Sequence, residues 1–192
     1  MIYIFIGIIG FIILFFFDLV ALRKIPFLKT AIWLAGYGLI AFSLNSIIRK
    51  STRFDFPNYV KTIGIVISTV FSILLIYSLL IEIPFKKTYL DKGAGTELIT
   101  TGTYALTRHP GVLWFLVVFI GIFLATGSKM LLIATPVWWS MDIIYVVIQD
   151  KIFFPKQFGD AYRRYQNEVP ILIPTRNSIK RCISTFIKIR RK

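Results

Sequence analysis

The only histidine of the chain, His109, lies in a polar segment directly before a long uncharged run. Residues 101–110 read TGTYALTRHP, and residues 111–127 contain no charged side chain. Pro110 suits the first position of a helix, because the N–H that it lacks would have no partner there. Arg108 and His109 would then lie at a helix N-terminus, where free N–H groups and the helix dipole favour an anion. The segment predicts binding of a carboxylate or a phosphate. Alternatively, the two basic residues contact lipid headgroups.

A second group of polar residues follows in a later apolar run. Asp142, Tyr145 and Gln149 are three and four residues apart, so they share one helix face, which leads to Asp150. An acid inside a membrane span is rare and is a candidate functional residue. We therefore treat Asp142 as a candidate for chemistry.

The spacing between these two groups predicts that they meet. Only GSK separates the two apolar runs, which indicates a tight antiparallel helical hairpin. Arg108-His109 and Gln149-Asp150 would then lie at the same membrane face. Opposed basic and acidic groups can hold a ligand that has a carboxylate together with hydroxyl or cationic groups. The alternative is an interhelical ion pair between Arg108 and Asp150.

The composition indicates the elements that must hold these residues. Of the 192 residues, 56% are hydrophobic and 17% are charged, whereas soluble domains have about 45–50% and 25%. A membrane span needs roughly 20 mostly apolar residues, which predicts an all-α integral membrane protein with about five spans. The expected spans are 1–22, 30–48, 60–83, 110–127 and 129–148. We expect one membrane domain over 1–192, made of three N-terminal spans (1–83), a core (84–174) and a basic tail (175–192).

The segment after the last span predicts an amphipathic helix at the membrane interface. Phe154, Phe158, Tyr162 and Tyr165 recur every three or four residues among charged ones. Gly159 indicates a break, and Asp160 is expected to be the N-cap of the next helix.

We interpret the net charge of +14 as the result of basic residues that flank membrane spans. Most basic residues fall in 23–29, 84–109 and 149–192, which predicts an external N-terminus and a cytoplasmic C-terminus. The basic tail is expected to contact anionic lipid headgroups. Nucleic acid is not expected as a partner, because no base-reading module accompanies the charge.

One histidine and one cysteine predict neither a disulfide nor a metal site, and the Ile, Lys and Phe bias favours a prokaryotic cell membrane.

Two motifs resemble those of the isoprenylcysteine carboxyl methyltransferase family, which is grouped with the phospholipid methyltransferases. They are the entry TGxYxxxRHP (101–110) and the exit FGxxYxxYxxxVPxxxP (158–174), separated by the spacing of a short hairpin. The resemblance covers roughly 96–174. It implies an integral membrane enzyme that uses S-adenosylmethionine and admits a hydrophobic acceptor from the lipid side.

The resemblance also implies site residues. The family's cofactor contacts fall on Thr96, Glu97, Leu98, Ile99, Tyr104, His109, Pro110, Gly111, Val112, Gln149 and Asp150. The catalytic residue stays open among Arg108, Asp142 and Asp150, and either acid could be the general base for an amine acceptor. Where the family has two glutamates, this chain has Gln149 and Asp150.

Two other functions remain open at this point. Membrane sterol reductases also carry RHP before a late span, so an NADPH-dependent reductase is one alternative. The other is a catalytically degenerate relative that serves as a membrane scaffold or lipid-binding protein.

Overall fold

The computed structural model describes residues 1–23, 25–83 and 97–189, and these residues are mainly helical. Besides one isolated bridge between Arg53 and Ser128, they contain no strand pairing. The predicted all-α class is therefore confirmed. The helices are α1 (Ile2–Leu22), α2 (Pro26–Lys50), α3 (Asn58–Ile76), α4 (Pro110–Thr126), α5 (Leu131–Ile148), α6 (Phe154–Phe158), α7 (Asp160–Glu168) and α8 (Arg176–Ile189).

Four stretches of helix are long and apolar enough to cross a membrane. They are Ile2–Leu22, Phe27–Lys50, Asn58–Glu82 and Leu131–Phe158. Two of them continue α3 and α5 through π-helical turns, Tyr77–Glu82 and Gln149–Phe153. The remaining predicted span, α4, has 17 residues, which is about 25 Å of helix against a hydrocarbon core of about 30 Å. Four of the five predicted spans therefore reach spanning length within the described residues.

The shorter helix α4 packs closely along α3. A Cβ atom on Gly64 would come within 2.4 Å of the Ala125 nitrogen, and one on Gly121 within 2.6 Å of the Ser68 nitrogen. Small residues at such contacts let two helix backbones approach in a membrane protein. The contact fixes where the N-terminus of α4, with its polar entry segment, lies relative to the end of α3.

The predicted helical hairpin of α4 and α5 is confirmed, with a turn of four residues between Thr126 and Leu131. Gly127 ends α4 at a φ of 67°, a left-handed conformation that favours glycine. The turn is held by the α2–α3 loop, since the Phe54 amide donates to the Gly127 carbonyl (2.8 Å) and the Lys129 amide to the Thr52 carbonyl (3.0 Å). The α2–α3 loop and the hairpin turn therefore lie at one end of the bundle, and the polar entry lies at the other.

The first helix completes the bundle by packing against α2 and α5. Trp138 of α5 is fully buried, and its indole donates to the Ile4 carbonyl at 3.1 Å. Gly7 leaves room for that indole, because a Cβ atom there would lie 2.3 Å from the ring. This contact brings the C-terminal half of α1, including Asp18, beside the C-terminal half of α5.

The chain reverses after α5 at a glycine. Gly159 adopts φ 58° and ψ −135°, a conformation that side-chain-bearing residues avoid. The predicted break is therefore found, but the N-cap of α7 is Gly159 and Asp160 is its first helical residue. The prediction for Asp160 was wrong because the backbone break occupies the capping position itself.

Candidate functional site

A cavity of about 540 Å³ lies between the helices, which is within the range of small-molecule sites. Its apolar part is lined by side chains such as Phe11, Ile40, Leu44, Val118 and Phe119. Its polar part is lined by residues of the entry segment, α5 and the segment around α7. Most of the predicted site residues line this cavity, namely Glu97, Leu98, Ile99, Tyr104, Arg108, His109, Gly111, Val112, Asp142 and Gln149.

Two predicted residues do not line the cavity, and a third lies outside the described part of the chain. Pro110 is the first residue of α4 as predicted, and it is fully buried in the protein. Asp150 is buried beside the cavity, and its carboxylate faces Arg108. Thr96 lies outside the described residues.

The structure contains the ion pair between Arg108 and Asp150, which was the alternative interpretation of these two residues. Nε and Nη2 of Arg108 donate to the two carboxylate oxygens of Asp150 at 2.7 and 3.0 Å. Both side chains are nearly buried, with 10% and 5% exposure. Charge-assisted bonds of this two-point kind fix geometry as well as charge. The prediction that the N-terminus of α4 meets the end of α5 is thereby confirmed.

The exit motif supplies the rest of the network around this pair. Nη1 of Arg108 donates to the carbonyls of Gln166 and Val169 at 2.8 and 2.7 Å. The hydroxyl of Tyr162 donates to Asp150 at 2.6 Å, and burial together with that carboxylate raises the pKa of Tyr162. Arg108 and Asp150 are therefore committed to protein partners.

Main-chain hydrogen bonds to the exit motif hold the backbone of Arg108 and His109 in place. The Arg108 amide donates to the Pro170 carbonyl at 2.9 Å, and the His109 amide donates to the Ile171 carbonyl at 3.2 Å. The entry and exit motifs thus pair through their main chains. The two segments are joined in space although the hairpin separates them in sequence.

The imidazole of His109 is buried yet lacks a hydrogen bond at Nε2. That atom lies 3.7 Å from Oδ1 of Asp150, too far for a hydrogen bond, and it has no other partner in the part of the chain that the structure describes. Burial lowers the pKa of His109, against the opposing effect of Asp150, so the neutral ring is favoured at pH 7. A buried nitrogen without a partner on a cavity wall is suited to a ligand.

The loop before α4 is tied to α3 and α7. Glu82 accepts hydrogen bonds from the amide and the hydroxyl of Thr103. The hydroxyl of Tyr165 donates to the Tyr104 carbonyl at 2.6 Å. Trp114 of α4 donates from its indole to Ser78 at 3.0 Å. These bonds position the backbone of the entry segment against the cavity.

An acidic residue of the site, Asp18, was not predicted from the sequence. Asp18 of α1 lines the cavity, and its Oδ2 accepts hydrogen bonds from the Tyr145 hydroxyl and the Gln149 amide, both at 2.8 Å. The helix face shared by Tyr145 and Gln149 was predicted, but its partner was not. The signal was available, since Asp18 is an acid inside an apolar span, as Asp142 is.

The four apolar helices of spanning length are those of an integral membrane protein. Residues 60–161 match the family model for phospholipid methyltransferases. Because this match covers more than half of the chain, the chain belongs to the phospholipid methyltransferase family, as the two motifs predicted. No curated protein and no solved structure matches the chain. The matched segment runs from α3 into α7 and leaves out α1, and with it Asp18.

Proposed function

We propose that the protein is an S-adenosylmethionine-dependent methyltransferase that acts on a hydrophobic or lipid-like acceptor at the cytosolic membrane face. The observation that carries the proposal is the cavity itself, which is lined by the polar side chains of Glu97, Tyr104, His109 and Gln149 together with many apolar side chains. A polar cofactor and an apolar acceptor need both kinds of lining. The family membership supports the same reaction class.

The chemistry requires positioning more than activation. When bound, S-adenosylmethionine would supply its sulfonium methyl group to the acceptor, and the electron pair of the broken carbon–sulfur bond would stay on the sulfur of S-adenosylhomocysteine. The contribution of the protein is to align the reactants and exclude water.

We assign different roles to the predicted residues. His109, whose buried Nε2 has no partner among the described residues, is the candidate for a direct cofactor contact, together with Glu97, Leu98, Ile99, Tyr104 and Gln149. Arg108 and Asp150 are assigned as positioning residues, because their charged groups bond to each other and to the exit motif. Asp142, which lines the cavity, is the candidate general base for an amine acceptor.

The test is isothermal titration of the purified full-length protein with S-adenosylhomocysteine. We expect saturable binding with one site per chain. NADPH serves as the second titrant, since binding of NADPH in place of S-adenosylhomocysteine would support the reductase alternative. No binding of S-adenosylhomocysteine at millimolar concentration would contradict the proposal.

We also propose a cell-membrane location with an external N-terminus, a cytoplasmic C-terminus and a tail that contacts anionic headgroups. Supporting the last point, α8 is strongly amphipathic and carries Arg176, Lys180 and Arg181. Arg181 pairs with Glu168 of α7, which links the tail to the segment beside the cavity. Reconstitution into bilayers with and without phosphatidylglycerol should show tighter protection of α8 from protease in the anionic bilayer. Equal protection in both would contradict the lipid contact.

A further inference from the structure

A smaller cavity of about 240 Å³ lies at the end of the bundle opposite the polar entry. It is formed by the α2–α3 loop, the start of α3 and the end of α4, with the lining residues Arg53, Phe54, Asp55, Lys61, Ala125 and Thr126. It shares no lining residue with the large cavity. Sites for drug-sized ligands have about 300–1,000 Å³, so this cavity suits a small polar group.

The hairpin turn fixes the backbone that carries Arg53 into this cavity. Arg53 forms the isolated bridge with Ser128, and the next amide, of Phe54, donates to the Gly127 carbonyl at 2.8 Å. Nη2 of Arg53 donates to the Ile48 carbonyl at 3.1 Å, while its other guanidinium nitrogens have no acceptor in the described ranges. A planar guanidinium with donors to spare matches the oxygens of a phosphate group.

Positive charge outweighs negative charge around the cavity. Lys61 lies 3.2 Å from Asp55, whose carboxylate is fully exposed, so this pair is screened by water and leaves the ammonium available to another anion. The ammonium of Lys129 lies 5.0 Å from the centroid of the Phe54 ring, which forms part of the cavity wall. The first turn of α3, which includes Lys61, contains no acid, so the positive end of its dipole adds to the same potential.

Aromatic surface borders these charges. The rings of Phe54 and Phe56 stack with centroids 5.8 Å apart, and Phe54 and Tyr59 are both exposed. Aromatic side chains are enriched at the level of the headgroups in membrane proteins. A phospholipid combines a phosphate group, which the basic residues would hold, with acyl chains, which would contact these rings.

We propose that Arg53, Lys61 and Lys129 form a binding site for a phosphate group, with the headgroup of an anionic phospholipid as its source. In the proposed orientation this end of the bundle faces outwards, where the preference of basic residues for the cytoplasmic side does not account for them. A bound phosphate gives these residues a role there. The proposal does not depend on the methyltransferase activity, since the two cavities lie at opposite ends.

The experiment compares Arg53→Gln and Lys61→Gln with wild type in micelles of a nonionic detergent. The matched control is Arg49→Gln, which removes an exposed cation of the same region that bonds to Asn45 outside the cavity. Asp55→Asn is the reciprocal variant, because it removes the acid of the lining and keeps the basic residues. Calorimetry measures binding of dihexanoylphosphatidylglycerol, glycerol 3-phosphate and inorganic phosphate.

We expect Arg53→Gln and Lys61→Gln each to weaken binding of the short-chain lipid about tenfold, the equivalent of one charge-assisted hydrogen bond. Asp55→Asn should strengthen it, and Arg49→Gln should bind like wild type. Lys180→Gln in α8 measures the share of lipid binding that belongs to the basic tail. Binding of S-adenosylhomocysteine should stay within about twofold in every variant, because distant sites act independently.

The two soluble ligands identify the source of the phosphate. Weaker binding of both than of the lipid supports a headgroup site, whereas equally tight binding with the same dependence on Arg53 supports a site for free phosphate. Equal losses for Arg53→Gln and Arg49→Gln would show that surface charge alone attracts the lipid and would overturn the proposal. Binding of all three ligands that is unchanged in the Arg53, Lys61 and Asp55 variants would also overturn it.

Discussion

Arg108 and Asp150, 42 residues apart in sequence, form a two-point ion pair that joins the N-terminus of α4 to the end of α5. All three guanidinium nitrogens of Arg108 bond to protein acceptors. Nε and Nη2 donate to Asp150, and Nη1 donates to the carbonyls of Gln166 and Val169. Arg108, which suggested an anion site in the sequence, therefore binds other protein groups and holds the site together. The Nε2 atom of its neighbour His109 has no hydrogen-bond partner among the residues that the structure describes.

The first prediction concerns the stability of this ion pair. Asp150→Asn leaves the Arg108 charge buried without its counter-charge, and breaking a buried pair in this way costs about 3–5 kcal/mol. Reversible unfolding in mixed micelles of detergent and dodecyl sulfate measures the loss. The control is Asp160→Asn, because the carboxylate of Asp160 is 87% exposed beside Arg163 and its loss should not change stability measurably. Equal effects of the two variants would contradict a structural role for Asp150.

The second prediction concerns His109. Its Nε2 lacks a partner in the described chain, so His109→Ala removes no hydrogen bond of that atom to any of the described residues. We expect S-adenosylhomocysteine affinity to fall roughly tenfold, the equivalent of about one hydrogen bond, while the protein stays folded. Tyr59→Ala, which truncates an exposed ring at the start of α3, is the control and should bind like wild type. If the His109 variant binds as tightly as wild type, the histidine only fills space.

The third prediction is a pH dependence of stability that comes from His109. Burial lowers its pKa below the ordinary value of 6.5, with Asp150 opposing and Arg108 adding to the effect. Below pH 6.5 the unfolded chain therefore binds a proton that the folded protein does not, and the free energy of unfolding falls as the pH drops. The slope is at most about 1.4 kcal/mol per pH unit. Chemical unfolding at several values between pH 7.5 and 5.5 should show that the stability difference between wild type and His109→Gln shifts against wild type as the pH falls.

The sequence could predict much of the fold because membrane helices are defined by local apolar length. The bounds of the helices moved by a few residues, as when α5 began at Leu131 instead of Lys129. The meeting of Arg108 with Asp150 could also be predicted, since a short turn forces two helix ends together. These properties depend on neighbouring residues or on one short connection.

The rest depended on contacts that the sequence pattern does not specify. Asp18 reaches Tyr145 and Gln149 across 127 and 131 residues, and nothing in the spacing of α1 identifies α5 as its neighbour. The tyrosines of the exit motif were predicted to lie at the membrane interface, yet Tyr162 and Tyr165 are buried against Asp150 and Tyr104. An amphipathic pattern gives the apolar face of a helix but not the surface that it covers.

The fourth prediction concerns Gly159, whose backbone reverses the chain before α7. A Cβ atom there would meet no atom within 4 Å, so the cost of Gly159→Ala comes from the φ of 58° and the accompanying ψ of −135° alone. Such a conformation costs about 1–3 kcal/mol for other residues. Gly38→Ala is the matched control, since it also has open space but lies inside α2. Unfolding in mixed micelles should show destabilisation for Gly159→Ala only, and equal stabilities would contradict a requirement for glycine.

The last prediction tests the orientation in the membrane. The chain has a single cysteine, Cys182, which lies partly buried in α8, and burial raises the pKa of its thiol. We therefore replace it by serine and introduce cysteines at two exposed positions, Ser184 in α8 and Asp55 in the α2–α3 loop. A membrane-impermeant maleimide should label position 55 in intact cells and position 184 only in inverted vesicles, because the basic tail favours the cytoplasmic side. The reverse labelling pattern would contradict the proposed orientation and would place α7 and α8 on the outer side of the membrane.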